Sequence, residues 1–409
     1  MLKVGIDIGS TTVKVVVMRE KELLFRHYER HFSQVRQKTA EILKEAAPVI
    51  GKEEFAAALL LTASAAVSAC ALGEPNITAD TTIGEIRANE SIIGSGFNTM
   101  DRSAYWPEQP WEYTSWTLQE YLGDCAPDAA AGLNLLIENY NSGVQVTYKI
   151  YTPEEIAADP SKDQVELYYF PGKQPGGKYA LVMPGNMFEK SAKMREGCAT
   201  CYHLHEMGYA SFILRYSVGE DNHNNAAYKD LVRAIQFITQ HADEFGVQAE
   251  DYALIGYSAG GQMSGIFGTD RMGYSNYGLP KPGALLLGYP IVNYVYIKPL
   301  YFYIIDGARP GDDLAPGDYY YNIELSAEVT PNYPPTYHWF GWDDAVLLRM
   351  NILQQGPAFD KALEENGVMH QMVTYRHAPH CSSTGLGTDA NGWLADAVAF
   401  WEAAVAQKQ

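Results

Sequence analysis

Basic residues are scarce in this sequence. Only 30 Lys and Arg stand against 49 Asp and Glu, which gives a formal net charge of −19 at pH 7. A protein this acidic repels nucleic acid and anionic membrane surfaces, so we expect neither as a partner. Cysteine is also scarce: the five cysteines are scattered over 409 residues, and an odd, dispersed set argues against a disulfide framework.

The chain also lacks an apolar run long enough to cross a membrane. The apolar segment 55–69 is too short for a span, but it ends just before Cys70 and resembles a lipoprotein signal. It begins some fifty residues into the chain, its flank is not basic, and no Met lies between Met18 and Met100 to supply a later start. We expect a cytoplasmic protein, with a lipoprotein or secreted protein as the alternative if residues 55–70 act as a signal.

Few residues are spaced as metal ligands. Cys198, Cys201, His203 and His205 are close in sequence, but they lie in a helical pattern. Histidines two positions apart point to different faces of a helix. We therefore predict ordinary helix packing for this group and no metal site.

The composition changes along the chain and divides it into three parts. Residues 1–30 are typical of three short strands, and residues 35–49 have helical periodicity. Residues 76–101 are rich in Asn, Thr, Ser and Gly without a clear period, so we place a boundary between about 72 and 82. The predicted parts are a small α+β fragment (1–75), a linker and N-terminal arm containing Trp111, Trp116 and Tyr121 (76–144), and a main domain (145–409).

In the main domain, predicted strands alternate with predicted helices. This alternation indicates βα crossovers and a mostly parallel sheet covered by helices on both faces, which is an α/β fold. The predicted strands are 146–151, 165–170, 179–183, 210–215, 252–256, 283–287, 336–340 and 369–375, and the predicted helices are 192–207, 226–245, one starting at 259, 349–365 and 393–406.

The segment 253–261, A-L-I-G-Y-S-A-G-G, carries the pattern G-x-S-x-G around Ser258. A serine in a sharp turn from strand to helix stands clear of the sheet, and flanking glycines let neighbouring backbone approach without a Cβ clash. The helix that follows directs its N-terminal N–H groups toward developing negative charge. An apolar strand before the motif and a helix after it are the context that a nucleophilic serine requires.

A nucleophilic serine needs a base, and the base needs an orienting acid, which in this fold class follow the serine as acid and then His. After Ser258, the adjacent Asp343 and Asp344 lie at the carboxyl end of a predicted strand. His377 and His380 follow a later strand. We favour Asp344 and His380, and Asp343 and His377 stay open as alternatives.

An oxyanion hole needs backbone N–H groups from the loop after an earlier strand. The segment 182–188, V-M-P-G-N-M-F, occupies that place, with Gly185 at the turn. The N–H groups of Asn186 and Met187 are candidate donors, and the N–H of Ala259, beside the nucleophile, is the second.

Residues from about 80 to 405 resemble the α/β-hydrolase superfamily, in particular its esterase branch similar to acetyl esterases and feruloyl esterases. The likeness lies in P-G at 184–185, L-R-Y-S at 214–217, G-Y-S-A-G-G at 256–261, P-P-T-Y-H-W-F-G-W-D-D at 334–344 and P-H at 379–380. That branch has glycines where this chain has Asn186 and Met187. We expect the bulkier side chains to narrow the acyl pocket or reshape the oxyanion hole.

The resemblance also bears on the tyrosine-rich segment 293–322, which follows a predicted strand. Inserts at this place in the superfamily form a cap over the site. Aromatic side chains there would either stack on sugar or aryl groups or pack within the cap, and we favour packing.

The first residues raise a separate possibility. The segment 5–14, G-I-D-I-G-S-T-T-V-K, places a glycine turn with Ser and Thr hydroxyls between two strands, which can hold a phosphate. It resembles the first phosphate-binding hairpin of the acetate-kinase, sugar-kinase, Hsp70 and actin (ASKHA-type) ATPases, above all the activators of 2-hydroxyacyl-CoA dehydratases, and residues 61–66 fit the same likeness. Nothing after residue 75 supplies that fold's second phosphate loop. We interpret residues 1–75 as a truncated fragment and expect no nucleotide cofactor.

Together these patterns predict a serine esterase that hydrolyses small carboxylic esters, with acetylated or aryl-esterified carbohydrate as candidate substrates. It would work through a Ser-His-Asp triad and an acyl-enzyme, without metal or organic cofactor. One alternative is a serine peptidase of the same fold. Another is an ATP-binding activator fragment fused to an inactive hydrolase-like module. The sequence does not determine the oligomeric state.

Overall fold

The computed structural model describes residues 2–8, 12–19, 22–30, 42, 45–46, 76–99, 114–185, 192–293, 314–346 and 354–408. The chain divides into two compact units, Met1–Asn76 and Ile77–Gln409.

The first unit contains an antiparallel sheet of three strands: β1 (Leu2–Ile8), β2 (Thr12–Arg19) and β3 (Glu22–Arg30). The prediction of three strands in residues 1–30 is confirmed. The glycine turn at residues 9–11 and the apolar run 55–70 lie outside the described residues, as does most of the predicted helix 35–49, of which residues 42, 45 and 46 are helical.

The second unit is built on an eight-stranded sheet with the order β11-β10-β9-β8-β6-β7-β5-β4. Pairings from β11 through β7 are parallel, whereas β5 pairs antiparallel with both β7 and β4. The prediction of a mostly parallel sheet is therefore confirmed. The strands are β4 (Thr147–Lys149), β5 (Glu166–Phe170), β6 (Tyr179–Met183), β7 (Ala210–Arg215), β8 (Ala253–Tyr257), β9 (Ala284–Gly288), β10 (Thr336–Gly341) and β11 (His370–Tyr375).

The strand order reverses direction at β6. The chain runs from β6 to β7 on one side, then crosses back to β8 on the other side and continues to β11. Because parallel crossovers are right-handed, this reversal places the connecting helices on opposite faces of the sheet. Open α/β sheets bind ligands at the carboxyl ends of the strands next to such a reversal, which here are the ends of β6 and β8.

Every residue of strands β5 to β10 is buried, as expected of a sheet covered on both faces, whereas β11 at the edge is partly exposed. The α-helices whose full extent lies in the described part of this unit are α1 (Ile83–Ala88), α2 (Glu90–Ser95), α3 (Leu118–Leu122), α4 (Ala126–Asn141), α5 (Pro153–Ala158), α6 (Ala199–Glu206), α7 (Ala226–Gln240), α8 (Ala242–Phe245), α9 (Ser258–Phe267), α10 (Gln355–Glu365) and α11 (Trp393–Ala406).

Two predicted helices differ from the structure. The predicted helix 192–207 begins with a π-helical turn, Lys193–Cys198, and only then becomes α6. The predicted helix 226–245 breaks at His241, whose ring Nδ1 lies 2.8 Å from the carbonyl oxygen of Phe237. That side-chain hydrogen bond competes for the carbonyl at the end of α7.

The segment expected to be a linker and arm also differs. Residues from 77 onward belong to the same compact unit as the sheet, and α1 to α4 lie within residues 83–141. Two of these helices start at capping boxes, in which Thr82 pairs with Glu85 and Thr117 pairs with Glu120. The signal was present in the sequence, but these helices are too short to show a hydrophobic period.

Candidate active site

Ser258 lies at the sharp turn where β8 meets α9. Its φ is +50°, in the left-handed region, and the residue is almost fully buried. A non-glycine residue held in this conformation is strained, and such strain is concentrated at functional sites. The structure thus forms the strand–turn–helix elbow that the G-x-S-x-G pattern predicted.

Glycine is required around this elbow because backbone segments approach it closely. A Cβ on Gly260 would lie 2.2 Å from the carbonyl oxygen of Met183, and one on Gly256 would lie 2.5 Å from Oγ of Ser264. From the other side, a Cβ on Gly185 would lie 2.8 Å from Cβ of Ser258. The end of β6 therefore packs directly against the serine.

The three residues favoured from the sequence form one line of hydrogen bonds. Nε2 of His380 lies 2.8 Å from Oγ of Ser258, and Nδ1 of His380 lies 2.7 Å from Oδ2 of Asp344. The Asp344 side chain is fully buried and that of His380 is 9% exposed. Because a carboxylate only accepts, Nδ1–H donates to Asp344 and the Nε2 lone pair is left to accept the serine proton.

The alternative residues form a second pair of the same type. Nδ1 of His377 lies 2.8 Å from Oδ2 of Asp343, with side chains 66% and 56% exposed. The backbone N–H of His377 donates to Asp389. This pair lies at the surface, and the structure brings Asp344 and His380, rather than these residues, to Ser258.

The Asp loop and the His loop meet at Gly341, the last residue of β10. A Cβ there would lie 1.7 Å from the carbonyl oxygen of Ala378, so only glycine lets the loops approach this closely. The second oxygen of Asp344, Oδ1, accepts the N–H of Val346 at 3.0 Å, which fixes the carboxylate. Sequence reasoning did not identify Gly341.

The predicted oxyanion donors are described only in part. Ala259 lies in the first turn of α9, where N–H groups have no acceptor within the helix. Asn186 and Met187 lie outside the described residues. The preceding residues are tightly held: the Gly185 N–H donates to Oε2 of Glu196 at 2.6 Å, and the Tyr216 hydroxyl donates to the Pro184 carbonyl oxygen at 2.5 Å.

Sequence reasoning missed two residues behind the serine and histidine. Glu196 is fully buried, and Tyr289 is fully buried with its ring centroid 4.9 Å from that of His380. Burial raises the pKa of Glu196, and the hydrogen bonds from Gly185 and Tyr289 partly oppose that shift. No motif marks Glu196; Tyr289 could have been noticed because it directly follows a parallel strand at its carboxyl end.

The backbone around this site is unusually strained. Seven non-glycine residues have positive φ in the part of the chain that the structure describes. Four of them lie at or beside the site: Ser258, Tyr289, Cys381 and Ser383. This concentration supports the site on backbone grounds independent of any motif.

The remaining candidates have other environments. His203 pairs with Asp128 at 2.9 Å, and His205 lies 2.9 Å from the carbonyl oxygen of Pro171, while Cys198 and Cys201 are buried. Among the described residues, no group of three His, Cys, Asp or Glu could hold a metal ion.

None of the described helices is both long enough and apolar enough to span a membrane.

Apart from Asn293, the tyrosine-rich insert is described only from residue 314 onward. There, Tyr320 is fully buried and its ring stacks on Tyr228 with centroids 5.8 Å apart, and Tyr319 is also buried. These two tyrosines pack into the unit. Residues 294–313 lie outside the described residues.

An open cleft of about 440 Å³ lies at the opposite edge of the sheet. It is lined by residues that precede β6, β7 and β8, including Lys178, Tyr209 and Asp251. Because these are the amino ends of strands whose carboxyl ends carry the site, the cleft is separate from Ser258.

Parts of the chain are similar in sequence to known proteins. The BD-FAE family model matches residues 174–275. An acetylxylan esterase of Xylanibacter ruminicola is 22% identical over 149 residues, which is 36% of this chain and 30% of that protein. Endo-1,4-beta-xylanase B of Butyrivibrio fibrisolvens is 21% identical over 226 residues, 52% of this chain and 34% of that protein. The chain thus spans about a third of the length of these curated relatives.

Among solved structures, an acetyl ester-xyloside bifunctional hydrolase from Caldicellulosiruptor lactoaceticus superposes with a TM-score of 0.52 at 19% identity. The superposition covers 63% of this chain and 95% of that chain. With the strand order described above, this similarity shows that the chain has the α/β-hydrolase fold.

Proposed function

We propose that this protein is a serine hydrolase of carboxylic esters in which Ser258, His380 and Asp344 form the catalytic triad. The observation that carries the proposal is the continuous line of hydrogen bonds from Ser258 through His380 to buried Asp344 at a strained elbow. Nucleophilic catalysis by serine needs three groups: the serine hydroxyl, an imidazole that accepts its proton, and a carboxylate that orients the imidazole.

In the proposed reaction, Oγ of Ser258 bonds to the ester carbonyl carbon while its proton passes to Nε2 of His380. The Ala259 N–H, together with the N–H of Asn186 or Met187, stabilises the resulting oxyanion. Collapse of the tetrahedral intermediate expels the alcohol, which takes its proton from His380. Water then attacks the acyl carbon while His380 takes one of its protons. Collapse of the second tetrahedral intermediate releases the acid, and His380 returns the proton to Oγ of Ser258.

We propose acetylated carbohydrate as the substrate class. The support is the similarity over 149 residues to a protein named acetylxylan esterase. A small acyl group also suits a loop in which Asn186 and Met187 replace glycines.

The test is hydrolysis of p-nitrophenyl acetate and p-nitrophenyl butyrate by the wild-type protein beside Ser258→Ala, with fluorophosphonate labelling of both. We expect labelling to vanish in the variant and the kcat to fall by about 10⁶-fold. We also expect the wild type to prefer acetate over butyrate. A wild-type protein that neither labels nor turns over either ester would contradict the proposal.

The carbohydrate part is tested separately by release of acetate from acetylated xylan and from acetylated xylo-oligosaccharides. Activity on p-nitrophenyl acetate without release from either carbohydrate would retain the esterase and remove the substrate class.

A further inference from the structure

Glu196 is a carboxyl group buried completely in the π-helical turn Lys193–Cys198. Burying a carboxylate is costly unless it is paired with hydrogen-bond donors. Here each oxygen has one: Oε2 accepts the Gly185 N–H at 2.6 Å, and Oε1 accepts the Tyr289 hydroxyl at 2.7 Å. π-Helical turns are rare and are often found at functional sites.

The direction of these hydrogen bonds is determined by the backbone. The Ser383 N–H donates to the Tyr289 hydroxyl oxygen at 3.0 Å. An amide N–H can only donate, so the hydroxyl hydrogen of Tyr289 is directed to Glu196. Glu196 therefore accepts at both oxygens and links, through one tyrosine, two loops that are far apart in sequence.

Both loops touch the triad. A Cβ on Gly185 would lie 2.8 Å from Cβ of Ser258 and 3.4 Å from Oε2 of Glu196. Ser383 lies three residues after His380, and the Tyr289 ring packs against the His380 ring. Displacing Glu196 would thus release the loop before the oxyanion donors and the loop that carries the base.

The π-helical turn also holds the His loop through its neighbour Arg195. The Ser383 hydroxyl donates to the carbonyl oxygen of Arg195 at 2.6 Å, and the Arg195 guanidinium lies 3.5 Å from the carbonyl oxygen of Cys381. These contacts hold the π-helical turn and the His loop at a fixed separation, so the backbone that carries Glu196 is firmly anchored.

We propose that Glu196 is a positioning residue for ester hydrolysis, holding the Gly185 loop directly and the His380 loop through Tyr289. This inference rests on the proposed function. Because the Gly185 N–H is committed to Glu196, it also implies that the oxyanion donors come from the residues after Gly185 and from Ala259.

The test compares Glu196→Gln with a matched control, Glu166→Gln, on p-nitrophenyl acetate. Glu166 is also buried and accepts a tyrosine hydroxyl, that of Tyr168 at 2.6 Å, but it lies on β5, three strands from β8. A glutamine at 196 presents an NH₂ group to one of two donors. We expect the kcat of Glu196→Gln to fall by about 10- to 100-fold with KM within about threefold, since misplaced reacting groups lose rate rather than binding.

Two further variants keep the test decisive if Glu196→Gln folds poorly. Tyr289→Phe keeps the ring beside His380 and removes only the hydroxyl link, so we expect a smaller fall in kcat, of about 3- to 10-fold, and slower fluorophosphonate labelling. Glu196→Asp retains the carboxylate and is expected to recover part of the activity that Glu196→Gln loses.

For Glu166→Gln we expect a lowered melting temperature with kcat within about twofold of wild type. The inference is overturned if Glu196→Gln and Tyr289→Phe also lower only the melting temperature, or if they raise KM alone. Wild-type labelling separates the two proposals: a labelled, active wild type with unaffected Glu196 and Tyr289 variants removes the positioning role and keeps the esterase. An inert wild type removes both.

Discussion

Two Asp–His pairs lie side by side in this protein, with the same chemistry and nearly the same geometry. Asp344 and His380 are 2.7 Å apart, and Asp343 and His377 are 2.8 Å apart. The first pair is buried and its imidazole reaches Ser258, whereas the second is more than half exposed.

The comparison shows that two Asp–His pairs of nearly equal length differ in burial and in what their imidazoles reach, so under the proposed mechanism the Asp–His distance alone does not identify the catalytic pair. In the buried pair, exclusion of water strengthens the electrostatic interaction, and the imidazole has a serine on its other nitrogen. In the exposed pair, solvent screens the interaction and no nucleophile is in hydrogen-bond contact with the ring among the described residues. Four variants test that difference.

The largest contrast is expected between His380→Gln and His377→Gln. Loss of the base at 380 should lower kcat by about 10⁶-fold, as removal of the His does in serine proteases. Loss of the exposed imidazole should leave kcat within about twofold. The measurement is p-nitrophenyl acetate hydrolysis at saturating substrate, and comparable losses in the two variants would contradict the assignment of His380.

The next contrast is between Asp344→Asn and Asp343→Asn. An amide at 344 retains the shape but favours the wrong imidazole tautomer, which should lower kcat by about 10⁴-fold. The same change at 343 should leave kcat within about twofold. If Asp343→Asn proved to be the inactive variant, the acid would be the exposed residue and burial would not be the deciding property.

The sequence predicted which side chains would meet but not how they are held. Ser258, Asp344 and His380 follow strands β8, β10 and β11, and parallel strands bring their carboxyl ends to one edge. Local apolar patterns were sufficient for β6, β7 and α11, whose bounds match the prediction. The apolar pattern of a segment indicates which of its faces are buried, so it predicts the bounds of a strand well when both faces of the strand are buried.

What could not be predicted depends on contacts between distant segments. Glu196 is positioned by a π-helical turn with no sequence signature, and Tyr289 matters because it lies between Glu196 and Ser383. The need for glycine at 341 comes from Ala378, on another loop. The sequence favoured Asp344 but left Asp343 open for the same reason: the burial of each residue is set by contacts with distant loops.

A smaller effect is expected from Gly341→Ala, which would displace both pairs together. The new Cβ would lie 1.7 Å from the Ala378 carbonyl oxygen, so the Asp and His loops must separate. We expect kcat to fall by about 100-fold, since a shift of about 1 Å in reacting groups costs that much. The control is Gly317→Ala, where a Cβ meets nothing within 4 Å. Unchanged kcat in Gly341→Ala would show that the close approach is not needed for catalysis.

The smallest effect is expected from the exposed pair itself. A double-mutant cycle of Asp343→Asn and His377→Gln, read by urea unfolding, isolates the coupling between the two side chains. Since both are more than half exposed, we expect a coupling under about 1 kcal/mol, decreasing further as salt is added. A coupling of about 2 kcal/mol or more would mean that the surface pair braces the junction of the two loops. The distinction between the pairs would then be one of catalysis alone, and not of structural importance.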